Sequence, residues 1–343
     1  MPNLGNLLLI LLLTPASQSP EGFPPLGVID FYGLHRVSEA QVRQALNFRE
    51  GDLIDMKQYE TRRQRAEQRI KGIPGVQGVS LNLVCCSEDR KSILYVGIEE
   101  TGRACSGFHP APQGNARLTE DVVRAGSEYE AALAKAILKG ASEEDDSQGH
   151  ALSRDPAVRA IQFRFVALAE AHLINLKDVL HNASNEDQRA LAAEVLGYVK
   201  DKQAVVPDLV AALHDPSSGV RNNATRALMV FASFAPKSPA RKIQISAEPF
   251  IEMLNSCSWT DRNKSSAALA ELTVQRDPAV LSEIQKQALG SLLEMARWKW
   301  MGHAWSSLMI LGRIGGLSDE EIEKDLEAGD REMVIAAASK AVL

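Results

Sequence analysis

The stretch Asp215-Pro216-Ser217-Ser218-Gly219-Val220-Arg221-Asn222-Asn223-Ala224-Thr225-Arg226-Ala227-Leu228 decides the fold of the larger part of this chain. Asp-Pro sets a turn, and proline suits the first turn of a helix because its missing N–H is not needed there. Val220, Ala224, Ala227 and Leu228 follow at helical spacing, which predicts one apolar face. The pattern returns on both sides. Asp155-Pro156-Ala157-Val158-Arg159 opens an earlier unit, and Asp277-Pro278-Ala279-Val280 a later one that lacks the arginine. The helices align as well: Arg189-Ala190-Leu191-Ala192-Ala193 leads to Val195-Leu196, and Arg262-Asn263-Lys264-Ser265-Ser266 leads to Ala268-Leu269. Arg189, Arg221 and Arg262 are spaced by 32 and 41 residues. A lone helix pair is too thin to hide its apolar side, so such repeats stack and share one core.

This periodicity predicts an all-α solenoid over residues 151–343. Small Ala, Ser and Asn residues let helices approach closely, and Leu and Val fill the interior. Val206–Leu213 and Pro249–Leu254 read as the other helices of their pairs. Arg159, Arg189, Arg221 and Arg262 read as a ladder bonding neighbouring helix ends. Gly312–Gly316 reads as a helix terminator. The region resembles HEAT or HEAT-like repeats of the PBS-lyase type. That resemblance implies a scaffold or binding function and carries no catalysis. The alternative is a lyase or other enzyme acting in the solenoid groove, for which no local motif is present.

Residues 25–100 follow a different pattern. Val28–Gly33 is rich in β-formers and ends on a turn glycine. Ser38 stands three residues before Gln41, a capping-box spacing. A second helix runs from about Asp55 to Lys71, stopped by Gly72, Pro74 and Gly75. Val79, Leu81 and Leu83 alternate with polar residues, and Ile93–Ile98 forms a further strand. The expected order is β-α-α-β-β, with two helices on one face of a three-stranded sheet. With Ile29–Gly33, Val37–Val42, Gly51-Asp52, Ile73–Val76 and Leu94–Glu100 in this order, the segment resembles the POTRA domain. The resemblance implies a periplasmic interaction module that binds extended segments by adding a strand to a sheet edge. No alternating barrel strands follow it, so the chain is not itself a pore.

Between the modules, residues 101–150 read as a linker with one helix, from Thr119 to about Lys139, and an acidic run, Glu143-Glu144-Asp145-Asp146. The run reads as a solvated loop or as a site for a cation or basic partner. At the N-terminus, Leu7–Leu13 is an unbroken apolar run followed by Thr14, Pro15, Ala16 and Ser17. It is far short of the ~20 residues that span a bilayer. It fits a signal peptide over residues 1–18, with an uncleaved anchor as the other reading. The expectation is an exported bacterial protein, periplasmic or extracellular, with no membrane span after signal cleavage.

The net charge of −6 supplies no global field for nucleic acid. The seven histidines include no pair at the i, i+4 spacing of a helical zinc site, and no phosphate loop or dinucleotide fingerprint is present. No catalytic residue, metal or cofactor is therefore expected. The four cysteines match no zinc pattern. In an exported chain, Cys85 or Cys86 with Cys105 forms a disulfide, Cys86–Cys105 being the pair adopted here; buried free thiols are the other reading. All four tryptophans fall late, at Trp259, Trp298, Trp300 and Trp305. With Arg297 and Lys299 interleaved, Trp298, Trp300 and Trp305 read either as a partner-binding hot spot or as core packing of the terminal repeats. The expected function is a non-enzymatic protein–protein interaction scaffold of the cell envelope. Strand addition would serve one partner and the solenoid a second.

Overall fold

The computed structural model describes residues 23–87, 89–102, 107–141 and 143–340. Within them the chain forms two compact units. One contains 23–102, 254–262 and 288–340; the other contains Gly107–Met253 and Asn263–Gln287.

The first unit opens with β1 (Leu26–Tyr32), α1 (Glu39–Ala45), α2 (Met56–Lys71), β2 (Val76–Val84) and β3 (Ser92–Glu100). The sheet order is β1-β3-β2, with β1 parallel and β2 antiparallel to β3. The predicted β-α-α-β-β order is present, and local chemistry explains it. Ser38 and Gln41 close the capping box of α1, and the Asp55 carboxylate accepts the Lys57 N–H at the start of α2. Gly33 leaves β1 at φ +77°, a conformation that favours glycine. Side chains alternate along a strand. Leu94, Val96 and Ile98 of β3 therefore join Ile29 and Leu81 in packing on Val42, Ala66 and Ile70 of the two helices.

Glu100 fixes the exit of β1. Its carboxylate accepts the backbone N–H groups of His35, Arg36 and Val37 at 2.8, 2.8 and 2.9 Å. Burial raises its pKa, but the three N–H donors and Arg36 outweigh burial and bring it to about 2.

The second unit is helical: α3 (Glu120–Leu138), α4 (Pro156–Ala171), α5 (Leu173–Asn182), α6 (Glu186–Leu196), α7 (Val206–Ala212), α8 (Ser218–Phe234) and α9 (Glu248–Met253). A two-residue ladder, β4 (Glu144–Asp145) with β5 (Leu152–Ser153), precedes α4. Then come α10 (Trp259–Leu272) and α11 (Pro278–Ala296), and the division between the units falls within both. α5 packs on α6 and α7, and α8 packs on α6 and α7, which is the stacking of successive helix pairs. α3 packs on α4 and α6, so the expected linker helix is an element of the helical array. Its stripe of Val122, Tyr129, Leu133 and Ile137 is buried there.

The arginine ladder is present, and each member makes the same bond. Arg159, Arg189, Arg221 and Arg262 donate to the carbonyl six residues upstream: Ser153 at 3.4 Å, Ala183 at 2.8 Å, Asp215 at 2.8 Å and Ser256 at 2.6 Å. Each guanidinium thus ties its own helix to the turn before it. The Asp-Pro pairs are less uniform. Asp155 and Asp277 accept N–H groups at the starts of α4 and α11, but α8 begins two residues after Pro216, with Ser217 as its N-cap. Asp215 instead receives Arg189 through both Nε and Nη2, at 2.8 and 2.9 Å.

The chain ends in α12 (Met301–Ile314), α13 (Asp319–Glu327) and α14 (Arg331–Lys340), which pack on one another within the first unit. Of the expected terminator Gly312–Gly316, Gly315 and Gly316 end α12, while Gly312 lies buried within the helix. These helices group with the α/β module in one compact unit. The cause lies on the second face of the sheet, where Asp30 stands opposite Tyr95 and Tyr32 opposite Gly97. Two tyrosines on that face need cover, and residues 254–262 and 288–305 provide it.

Candidate functional site

The tryptophan segment reads from sequence as a partner site or as core packing, and the structure buries Trp298 within the first unit. Trp298 is 2% exposed. Its ring meets Tyr95 at 4.9 Å and the edge of Tyr32 at 6.2 Å between centroids. Trp259 is fully buried and stacks on Tyr95 at 4.8 Å. The Tyr95 hydroxyl lies 2.6 Å from Nδ1 of His303 on α12, and the Tyr32 hydroxyl donates to the Cys257 carbonyl at 3.0 Å. Aromatic pairs of this kind contribute about 0.5–1.5 kcal/mol beyond their burial. Lys299 donates through its backbone N–H to Asp30 at 2.9 Å and through Nζ to the Ile29 carbonyl at 2.8 Å. Burial pushes the Asp30 carboxyl above its ordinary range, and the Lys299 N–H and charge offset part of that. Trp300 is half-buried and sets its face against His303 at 4.0 Å; Trp305 is half-buried on α12. Arg297 is exposed and pairs with Glu332 at 3.2 Å. Trp298 is thus packed in the core, the second of the two readings of this segment, while Arg297 and Lys299 are exposed and Trp300 and Trp305 are half-buried.

The two edges of the sheet differ. Along β1, Leu26 exchanges backbone hydrogen bonds with residues of the following loop: its N–H donates to the Asp52 carbonyl, and its carbonyl accepts from Gly51 N–H, at 2.9 and 2.6 Å. Ile29 N–H reaches Glu50 at 3.3 Å, Lys299 covers the Ile29 carbonyl, and Gly33 N–H donates to Glu294 at 2.7 Å. That edge is sealed by loop and side chains. β2 ends the sheet order on the other side, with no strand paired to its outer edge among the described residues. It is nine residues long and carries neither lysine nor proline, two of the usual blocks to strand addition.

In the helical unit each carboxylate of the acidic run has a partner, Glu143 being exposed and Glu144, Asp145 and Asp146 partly buried. Glu143 pairs with Arg154 at 3.0 Å, Glu144 with Arg226, and Asp145 with Arg159 at 3.0 Å, while Asp146 accepts the Ser233 hydroxyl at 2.7 Å. Arg226 also bonds Glu194 at 2.9 Å, and it is 3% exposed. Composition could not separate this arrangement from a solvated loop, because the cations it meets lie on helices remote in sequence.

The remaining reactive side chains do not converge. His172 bonds Asp121 at 2.9 Å and His181 bonds Asp208 at 2.8 Å, linking neighbouring helices. His109 stacks on His214, and His150 lies on Tyr198. Among the described residues no group of three or more His, Cys, Asp or Glu is placed to hold a metal. Cys86 is joined to its neighbour Cys85; the Cys105 of the expected pair lies outside the described residues, as does the expected signal peptide over 1–18. No described helix is long and apolar enough to cross a membrane.

Comparison with known proteins agrees on the helical array. A HEAT-repeat family model matches residues 175–270, from α5 into α10. The match supports a helical repeat in this region, as does the stacking of its successive helices. No curated protein matches the chain. Among solved structures, a designed armadillo repeat protein is 16% identical with a TM-score of 0.37, covering 55% of this chain and 94% of that one. Another, solved in complex with the peptide (KR)4, is 15% identical with a TM-score of 0.36, covering 55% and 95%.

Proposed function

We propose that this protein is a non-enzymatic interaction scaffold of the bacterial cell envelope, with a POTRA-like α/β module that accepts an extended partner segment and a HEAT-like array that holds a second protein. The observation that carries the reading is the contrast between the sheet edges: β1 is sealed by Gly51, Asp52, Glu50, Lys299 and Glu294, while β2 is left with no paired strand. Strand addition gives affinity through main-chain hydrogen bonds and specificity through alternate side chains. On β2 those would be Val79, Leu81 and Leu83 on one face and Ser80 and Asn82 on the other. Export is supported by the apolar run Leu7–Leu13 and the small residues at Ala16 and Ser17.

The test is capture of partners from a bacterial envelope extract by the full chain, followed by hydrogen exchange of the recovered complex. The reading expects slowed exchange across residues 76–84. A captured partner that protects only other segments, or no specific partner at all, contradicts strand addition. N-terminal sequencing of the mature chain tests export, with a start just after residue 16 or 17 expected.

A further inference from the structure

The acidic strap, residues 143–155, is built as an occupant. Its β4 end is extended, so alternate side chains face opposite ways. Glu144 and Asp146 both reach α8, through Arg226 and Ser233, while Asp145 between them reaches Arg159 on α4. Three consecutive carboxylates thus bridge two helices. The other end is held differently: Leu152 is fully buried, Ala151 is 6% exposed, and the Ala151 carbonyl accepts from Gln162 and Tyr198 at 2.8 and 3.0 Å. One end of the strap is anchored in the core, and the other is held by charge and a two-residue ladder.

Buried cations near the strap carry donors that it does not use. Lys264 is fully buried, and its Nζ has no hydrogen-bond partner among the described residues; the same is true of Nε of Arg226. Lys264 lies within the electrostatic reach of Arg226, Glu144 and Glu194. A buried ammonium without an acceptor is costly unless something else satisfies it. If Glu144 leaves, Arg226 and Lys264 face Glu194 alone, and the site carries one uncompensated positive charge.

From this we infer that Glu144–Asp146 is an internal plug over a cationic site formed by Arg159 of α4, Arg226 of α8 and Lys264 of α10, and that the site takes an extended acidic segment of a partner protein by displacing the plug. This rests on the proposed scaffold function and specifies the chemistry of the partner held by the helical array. The partner presents consecutive carboxylates on an extended backbone, and a further acceptor oxygen would satisfy Nζ of Lys264. A plug open ~10% of the time lowers the apparent affinity about tenfold.

The experiment uses the full chain and a fluorescein-labelled octapeptide of alternating Glu and Asp, with its Gln/Asn counterpart as control. The expected result is that E144Q/D145N/D146N binds the acidic peptide about tenfold more tightly than the wild type, and that adding R159Q reverses the gain. Neither protein binds the neutral peptide. Equal Kd values for the two proteins, or equal binding of both peptides, overturn the inference. A second measurement needs no variant: saturation of the wild type with the acidic peptide speeds amide exchange at 143–149, and unchanged exchange there overturns it. An envelope partner that is captured while exchange at 143–149 stays unchanged leaves the scaffold function standing and removes only the plug. Absence of any captured partner, with the peptide results as expected, does the reverse.

Discussion

Replacing Gly97 by alanine puts the packing of the sheet's second face to a direct test. A Cβ at this position would stand 2.4 Å from Cζ and Oη of Tyr32 and 2.6 Å from Cε2. Real Cβ atoms do not approach that closely, so something must shift. Tyr32 has little freedom to move: it is 1% exposed, its hydroxyl donates to the Cys257 carbonyl, Trp298 meets its ring at 6.2 Å, and the Arg262 guanidinium sits 4.8 Å above it. Overpacking of this kind costs ~1–3 kcal/mol, and loss of the tyrosine hydrogen bond adds about 1 kcal/mol. Gly97→Ala is therefore expected to lower stability by ~2–4 kcal/mol in urea unfolding, as a shift in midpoint with unchanged slope. Pairing it with Tyr32→Leu should recover much of the loss, because the clash partner is gone; a double-mutant cycle then reads a coupling above 1 kcal/mol in order of magnitude. If Gly97→Ala stays within ~0.5 kcal/mol of wild type, a level ordinary for open surface sites, Tyr32 does not pack on β3 as described.

Three further outcomes follow from buried charge. Arg189→Ala strands the Asp215 carboxylate, which is 7% exposed, and should cost ~3–5 kcal/mol in thermal or urea unfolding, far more than loss of the exposed Arg297–Glu332 pair. Glu100 has its pKa lowered from 4.5 to about 2, so its contribution is complete above pH 4.5 and fades as pH falls toward 2; the stability gap between wild type and Glu100→Gln should shrink over that interval. Burial lowers the pKa of Lys264 from 10.5 to about 8, so the unfolded chain binds more protons between those values and stability rises with pH there. That rise should be smaller in Lys264→Met, and parallel pH profiles for the two proteins would refute the burial.

Much of the fold was legible because its signals are local. Ser38 with Gln41, the Pro74-Gly75 stop and the arginine-headed helices each act within a few residues of themselves. The hidden part is what distant segments do to each other. Alternation in β3 shows that Tyr95 and Gly97 share a face, but not that Trp259, Trp298 and His303 cover it, some 160 to 210 residues later in the chain. The same holds for Glu144, whose partner Arg226 is 82 residues away. A charge run reads as solvated whenever its counter-charges come from other helices, and a Trp-Arg-Lys cluster reads as a hot spot or a core with equal ease. Both answers depend on tertiary contacts that no spacing rule encodes.

The claim that most of the rest depends on is that Trp298 is packed inside the fold against Tyr95 and Tyr32. Acrylamide quenching of a protein retaining Trp298 alone, with Trp259, Trp300 and Trp305 replaced by Phe, tests it in one measurement. Blue-shifted emission that resists quenching until the chain unfolds is the predicted result. Red-shifted emission quenched freely in the folded protein would contradict the account.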